Sequence, residues 1–155
     1  MNGRLPEGLP GDFTAQLVAS CPDAVIYANA EGKIRFWNPA ASRIFGFNED
    51  KALGASLDLI IPERLRARHW QGDDEVMHGR ESRYGEGDLL AVPARHKDGH
   101  QVSVEFTILP LRDDSGALLG IAAFLRDVTA RFEEMRALRR ELAASKAQSS
   151  EPSGA

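Results

Sequence analysis

The fold class follows from residues 88–127, which read DLLAVPARHKDGHQVSVEFTILPLRDDSGALLGIAAFLRD. Three parts of this stretch are rich in Val, Ile, Leu and Phe: residues 88–95, 101–111 and 118–127. In the middle part apolar and polar residues alternate, which is typical of a strand with one buried face. The turn sequences KDG at 97–99 and DDSG at 113–116 connect the three parts. We therefore expect a three-stranded antiparallel meander, in which Pro93 marks its first strand as an edge strand or a bulged one.

The residues before the meander add two strands and three short helices. Apolar segments at 24–28 and 33–37 flank a Glu-Gly turn and predict a β-hairpin. Residues 38–46, NPAASRIFG, contain a capping Asn, a Pro at the first helical position and a terminating Gly. Residues 48–54 repeat this pattern, and a third helix begins at Pro62. The order predicts an α+β domain with one five-stranded antiparallel sheet, short helices on one face and a C-terminal exit helix.

Composition divides the chain into four segments. They are a flexible leader at 1–11, the folded domain at 12–128, an amphipathic exit helix at 129–146 and a disordered tail at 147–155. We expect Asp12 to cap a helix over residues 13–20, and Thr129 to cap the exit helix. Apolar residues recur along the exit helix near heptad spacing: Val128, Met135, Leu138 and Leu142. Such a stripe packs either on the sheet of its own domain or on a second copy.

The composition also excludes several classes of protein. At 155 residues the chain suits one domain with a core. Its formal net charge of −4 argues against a nucleic-acid partner, which requires a dense basic face. No apolar run approaches the ~20 residues of a membrane span, and no secretory signal is present. We therefore expect a cytoplasmic protein with no membrane partner. A single cysteine, Cys21, excludes an internal disulfide and a cysteine-based zinc cluster.

One predicted helix presents a histidine on its apolar side. At about 100° per residue, five positions within residues 60–77 lie close together on the helix surface. These positions are Ile61, Leu65, His69, Gly72 and Val76. Most of the other positions are charged, so His69 lies in the middle of the apolar stripe, while Trp70 points away from it. The remaining histidines show no spacing that suggests a metal site, and we expect them to be solvated: His78, His96 and His100.

The elements, taken in order, resemble a PAS domain. The matching sequences are DAVIYANAEGKIRFWN, NPAASRIFG, ALGASLDLIIPERLRARH, HKDGHQVSVEFTI and GIAAFLRDVT with the exit helix, which together cover about residues 13–142. The resemblance implies a sensory or protein-interaction module whose sheet and helices enclose a pocket. It also implies that the exit helix conveys the state of the pocket to a partner protein. Because no output domain follows that helix, we expect a stand-alone module that dimerises or docks on another protein.

The last predicted strand favours a second copy of the chain as partner. Both of its faces are apolar, since Gly120, Ala122 and Phe124 alternate with Ile121, Ala123 and Leu125. One face covers the pocket, and the other requires either the leading helix or a second subunit. We therefore expect a homodimer through the outer face of the sheet and the exit helix. The sequence contains none of the HExxH, GxSxG or P-loop motifs, and we do not expect an enzyme.

The resemblance leaves the ligand of the pocket open. PAS photoreceptors that bind flavin form an adduct with a pocket cysteine, and this chain has no cysteine after Cys21, so we do not expect a flavin adduct. The segment IPERLRARH resembles the haem-bearing PAS domains of rhizobial oxygen-sensing histidine kinases. In those domains the matching histidine, here His69, is the proximal ligand of the haem b iron. The other interpretation is a helix-face histidine without cofactor, beside a pocket that is filled or takes an unidentified small molecule.

The haem interpretation implies roles for further residues. Leu65, Gly72 and Val76 would line the wall on the His69 side. The facing wall would consist of Val104, Phe106, Ile108, Ile121 and Ala123. Arg83 would pair with a haem propionate. Leu90 occupies the position at which the oxygen sensors place an arginine, and an apolar side chain does not stabilise iron-bound oxygen, so carbon monoxide or nitric oxide is the expected ligand.

Overall fold

The computed structural model describes residues 7–77 and 90–150, and for residues 72–77 and 90–91 it describes the backbone alone. The helices are α1 (Phe13–Ser20), α2 (Pro39–Phe45), α3 (Glu49–Ala52), α4 (Arg66–Met77) and α5 (Thr129–Ser149). The strands are β1 (Ala24–Asn29), β2 (Ile34–Trp37), β3 (Leu90–Arg95), β4 (Gln101–Arg112) and β5 (Leu118–Asp127). Two 3₁₀ turns, Leu57–Ile60 and Glu63–Leu65, lead into α4.

The five strands form one antiparallel sheet in the order β2-β1-β5-β4-β3. The first and last strands of the chain meet inside it, because β1 pairs with β5 from Ala24↔Leu125 to Asn29↔Gly120. β3 lies at an edge, which is the position that Pro93 predicted. The α+β architecture expected from the sequence is confirmed.

The core lies between the inner face of this sheet and the helices that follow the hairpin. Its buried apolar residues are Ala24, Ile26, Ile34, Trp37, Ala41, Phe45, Phe47, Ala52, Ile60, Ala94, Val102, Val104 and Leu125. Trp37 and Phe45 pack with ring centroids 5.8 Å apart. The indole N–H of Trp37 donates to Ser42 Oγ at 3.0 Å and to the Phe47 carbonyl at 3.1 Å, so burial leaves its donor satisfied.

Both ends of α2 are determined by residues within or next to the helix itself. The Asn38 side chain accepts a hydrogen bond from the Ala41 N–H at 3.0 Å, and Pro39 holds the first helical position. Gly46 ends the helix at φ +80°, a left-handed conformation that favours glycine, and its N–H donates to the Ser42 carbonyl. The helix therefore has a fixed beginning and a fixed end.

Several details differ from the sequence prediction. Asp12 precedes α1 without capping it, because its carboxylate accepts from the Gln16 side chain at 2.8 Å instead. Thr129 is the first residue of α5 and also does not cap it, because its hydroxyl is bonded to Asp127 and β4. α5 continues to Ser149 rather than ending at residue 146. After Pro62 the chain forms a 3₁₀ turn before α4 begins.

Candidate functional site

The residues predicted to form the facing wall of a pocket lie on the inner face of β4 and β5. They are Val104, Phe106, Ile108, Ile121 and Ala123. The register places them beside one another, since Ile108 pairs with Ala123 and Pro110 with Ile121. Val104 belongs to the buried core, and Phe106 and Ala123 pack against it. The wall is therefore one continuous apolar surface, part of which the core already uses. Its role in holding a ligand stays a prediction.

The remaining members of the predicted pocket are placed only in part. Leu90 is the first residue of β3 and pairs with Phe106, which puts its backbone directly beside that wall residue. Gly72 and Val76 lie on α4, where only the backbone is described, and Arg83 lies outside the described residues. Leu65 ends the 3₁₀ turn before α4 and is half-buried.

His69 lies in the first turns of α4 and is half-buried. Its ring packs edge-on against Trp70, with centroids 5.3 Å apart and planes at 81°. The electron-rich face of one ring and the polarised edge of the other favour this arrangement. The imidazole therefore packs directly against Trp70.

Trp70 connects the start of α4 to the rest of the domain, a contact that the helical pattern of the sequence did not reveal. Its indole N–H donates to Asp58 Oδ1 at 2.7 Å. Its six-membered ring lies over Gly32 in the β1–β2 turn, where a Cβ would come within 2.2 Å of the ring. Gly32 has φ +73°, so this position requires glycine for conformation as well as for space. The start of α4, with His69, is thereby fixed to the hairpin turn.

The junction between the sheet and α5 is closed by hydrogen bonds to β4. The Val128 N–H donates to the Ser103 carbonyl at 2.8 Å, and the Ser103 N–H donates to Thr129 Oγ1 at 3.0 Å. Asp127 Oδ1 accepts from both the N–H and the hydroxyl of Thr129. These bonds join the first residues of α5 to the middle of the buried part of β4.

An ion pair supports the same end of β5. The Arg126 guanidinium donates to both carboxylate oxygens of Asp23, at 3.1 and 2.9 Å. These hydrogen bonds, followed by the charge of the carboxylate, raise the pKa of Arg126 above its usual value. The pair connects the loop before β1 with the strand that leads to α5.

The outer face of the sheet and α5 expose large apolar side chains. On the outer face of the sheet these are Phe36, Leu109, Leu111 and Phe124. Leu17 of α1 and Leu119 of β5 are exposed as well. On α5 they are Phe132, Met135, Leu138 and Leu142, each between 38% and 57% exposed. A groove of about 270 Å³ lies where the start of α5 meets β4, between Glu105 and Arg139. In residues 7–77 and 90–150, no helix is long and apolar enough to cross a membrane.

Comparison with known proteins agrees with this geometry. A family model described as PAS fold matches residues 18–133. Sensor protein FixL of Bradyrhizobium diazoefficiens is 28% identical over 130 residues, which represent 77% of this chain and 24% of FixL. Oxygen sensor protein DosP of Escherichia coli K12 is 28% identical over 100 residues, 63% of this chain and 12% of DosP. The chain thus spans about a quarter or less of these two relatives.

A solved structure extends the likeness to α5. The structure of an RNA-binding light-oxygen-voltage receptor superposes with a TM-score of 0.69 at 18% identity, covering 97% of this chain and 42% of the receptor. At that identity the likeness concerns the fold alone. In this chain Cys21 follows α1 and precedes β1, so it is not on the sheet or on the helices after the hairpin.

Proposed function

The chain belongs to the PAS family, and from that premise we propose that it is a signalling module that dimerises and relays the state of its inner pocket through α5 to a partner protein. Its sensory character is shared with relatives that are themselves sensor proteins. The chemistry required is binding rather than catalysis. The observation that carries the proposal is the hydrogen-bonded junction between Ser103 of β4 and the first turn of α5.

The junction offers a short mechanical route from the pocket to the helix. Ser103 lies between Val102 and Val104, which face the core and are 2% and 1% exposed. A change in what fills the inner face shifts β4, because a packed core transmits displacement instead of absorbing it. Ser103 moves with its strand and carries the Val128 N–H and the Thr129 hydroxyl along. The direction of α5 then reports the state of the inner face.

The partner that best fits the exposed apolar surface is a second copy of the chain. Met135, Leu138 and Leu142 follow near-heptad spacing, and α5 buries no residue of its own within the domain. Two outer-face residues add to this surface. Leu109 of β4 is 45% exposed, and Phe124 of β5, the strand that leads into α5, is 40% exposed. The same stripe on two chains is self-complementary about a twofold axis, which suits an isologous dimer.

Sedimentation of the full chain and of α5 variants tests the dimer. Leu138→Glu places a charge in the apolar stripe and should give a folded monomer, because the desolvated interface would hold an unpaired carboxylate. Ala137→Glu adds the same charge beside the stripe and serves as the matched control, which should remain dimeric. A wild-type monomer at high protein concentration would contradict the dimer.

Hydrogen exchange tests the relay. Ile108→Ala removes volume from the inner face and should change amide protection in residues 129–135 of α5. Leu53→Ala removes a similar volume from an exposed site at the end of α3, where Leu53 is 41% exposed, and should leave α5 unchanged. Adding Thr129→Val should weaken the response to Ile108→Ala. Equal responses with and without Thr129→Val would refute the route through the junction.

A haem-based gas sensor is the second candidate function, with His69 as the proximal iron ligand. Two features of the structure support it. His69 is half-buried with its ring packed against Trp70, and the inner face presents a continuous apolar wall with the small residue Ala123. The packing of Phe106 against the core limits the space for a macrocycle. If haem binds, Leu90 beside Phe106 favours carbon monoxide or nitric oxide over oxygen.

A visible spectrum during haemin titration tests this candidate. Haem ligation by a histidine gives a strong band near roughly 400 nm. The band should be lost or strongly shifted in His69→Ala and retained in His100→Ala. A protein that takes up no haemin, or one whose band survives His69→Ala, would exclude His69 as the iron ligand.

A further inference from the structure

The turn between β3 and β4 brings two imidazoles and one carboxylate together. His96 Nδ1 lies 3.2 Å from Asp98 Oδ1, and His100 Nδ1 contacts the same oxygen. The two imidazole rings are stacked, with centroids 4.3 Å apart and planes at 22°. One ligand atom from each of the three residues lies within 4.8 Å of the others. The sequence predicts solvated histidines with no spacing that suggests a metal site, whereas the turn brings His96 and His100 together with Asp98.

The backbone of the turn explains why alternate residues converge. The His96 N–H donates to the His100 carbonyl at 3.0 Å, which closes the hairpin. The Gly99 N–H donates back to the His96 carbonyl at 2.9 Å, with Gly99 at φ +93°. The His100 N–H also donates to Asp98 Oδ1 at 3.0 Å. Residues 96, 98 and 100 therefore project from a turn whose shape is fixed by its own hydrogen bonds.

The C-terminal end of α2 orients the first imidazole. A Cβ on Gly46 would lie 2.5 Å from His96 Cε1 and 2.7 Å from its Nε2, so the ring packs directly over this glycine. The Lys97 N–H donates to the Phe45 carbonyl at 2.9 Å and fixes the turn to the same end of α2. With its Nε2 side against Gly46, His96 presents Nδ1 to Asp98 and His100.

The ligand atoms of the turn suit a cation. Asp98 Oδ1 faces the Nδ1 atoms of both His96 and His100, so one carboxylate oxygen lies close to two ring nitrogens. A neutral imidazole offers a nitrogen lone pair to a metal, and a carboxylate offers an oxygen.

We propose that His96, Asp98 and His100 form a binding site for a divalent transition-metal ion of the Zn²⁺ or Ni²⁺ type. Two imidazole nitrogens and one carboxylate oxygen match the preferences of these ions, whereas Ca²⁺ and Mg²⁺ prefer oxygen ligands alone. Metal–ligand bonds of about 2.0–2.2 Å place tetrahedral ligand atoms ~3.3 Å apart, close to the His96–Asp98 separation already present. Asp98 and His100 are exposed, so water completes the coordination.

The bound ion would tie the β3–β4 hairpin more firmly to α2. It holds His96, which packs on Gly46, and His100, which precedes β4, in one coordination sphere. The site is separate from His69 and from the junction with α5, and it does not depend on either proposed function. Metal binding should therefore raise thermal stability of the full chain without any pocket ligand.

Isothermal titration of the full chain with Zn²⁺ alone tests the site. We expect one ion per chain, and a weakening of about tenfold or more in His100→Gln, in Asp98→Asn and in His96→Gln. His69→Gln and Cys21→Ser are the matched controls and should bind as the wild type does. Because His96 packs on α2, His96→Gln risks unfolding, and the exposed His100 provides the decisive variant.

A second readout locates the ion. Substoichiometric Cu²⁺, which is paramagnetic, should broaden the amide resonances of residues 96–100 and of Phe45–Phe47 first. Zn²⁺ affinity that is unchanged in both His100→Gln and Asp98→Asn would overturn the proposal. So would a loss of affinity in His69→Gln or Cys21→Ser with broadening centred on those residues.

Discussion

Two helices of this protein each follow directly after a strand, and they contribute to the fold in opposite ways. α2 has seven residues and buries three of them, Ala40, Ala41 and Phe45. α5 has 21 residues and buries none. Helical stability in proteins comes mainly from packing an apolar side, so the short helix is the structural one here. The long helix exposes its apolar side within the single chain, which is the surface that the proposed dimer would cover.

The residues at the two strand–helix junctions show the same contrast. Asn38 is 1% exposed and accepts from the Val25 and Ala41 N–H groups while donating to the Val18 and Asp23 carbonyls. It therefore ties α1, β1 and α2 together. Thr129 makes one bond to β4 and one pair of bonds to Asp127, its near neighbour in sequence. The junction between β2 and α2 is therefore held by bonds to three elements. The junction between β5 and α5 is held to the sheet by fewer bonds.

The largest effect should come from the buried side chain of α2. Phe45→Ala should lower the free energy of unfolding by about 3–5 kcal/mol, because it leaves a cavity beside Trp37 in the core. Phe132→Ala removes the same group from α5, where Phe132 is 38% exposed, and should cost less than about 1 kcal/mol in the monomer. Urea unfolding measures both. A similar decrease in the free energy of unfolding for the two variants would show that α2 and α5 contribute equally to stability.

Removing the buried helix cap Asn38 should have the next largest effect on stability. Asn38→Ala should cost about 2–3 kcal/mol, since it removes a helix cap and leaves buried backbone groups without partners. Asn48→Ala provides the matched control. Asn48 caps α3 through the Lys51 N–H at an exposed position, and its loss should cost about 1 kcal/mol. Urea unfolding compares the two, and an equal cost would show that the additional bonds of Asn38 contribute little.

The junction of α5 should show a smaller effect. Thr129→Val keeps the side-chain shape but leaves the N–H of Ser103, which is 8% exposed, without its acceptor, at a cost of about 1 kcal/mol. Thr129→Ser retains the hydroxyl and should restore most of this stability. Amide exchange at Ser103 provides the direct measurement. Faster exchange in Thr129→Ser than in Thr129→Val would contradict the assignment.

The smallest effect concerns the turn against α2, and it depends on pH. The pKa of Asp98 is lowered in the folded protein, chiefly by the His100 N–H. A lowered carboxyl pKa contributes stability that is present above the unfolded value and is lost as pH falls through the folded value. The wild type should therefore be slightly more stable than Asp98→Asn at pH 6, and the difference should shrink as pH falls through the folded-state pKa of Asp98, which lies below the ordinary value of 3.8. Metal-free thermal melts across this range measure it.

Local sequence determined most of the element order. Asn38, Pro39 and Gly46 define the beginning and the end of α2 within a short stretch of sequence. The alternation of apolar and polar residues in β4 defines its inner face. Pro93 predicts an edge strand or a bulge, because such positions tolerate a missing N–H, and β3 is the edge strand. These features depend on backbone preferences and periodicity, which can be read without knowing what lies opposite. The exposed stripe of α5 belongs to the same class.

Tertiary structure decided the positions of the side chains that act between elements. Trp70 lies over Gly32, and Ser103 bonds to Thr129, across 26 residues of sequence in the second case. His96 and His100 met at one carboxylate only because the turn was closed by its own hydrogen bonds and placed against α2. Contacts of this kind arise from how strands align and helices pack. No local pattern encodes which distant group will satisfy a given donor, so only the folded chain reveals it.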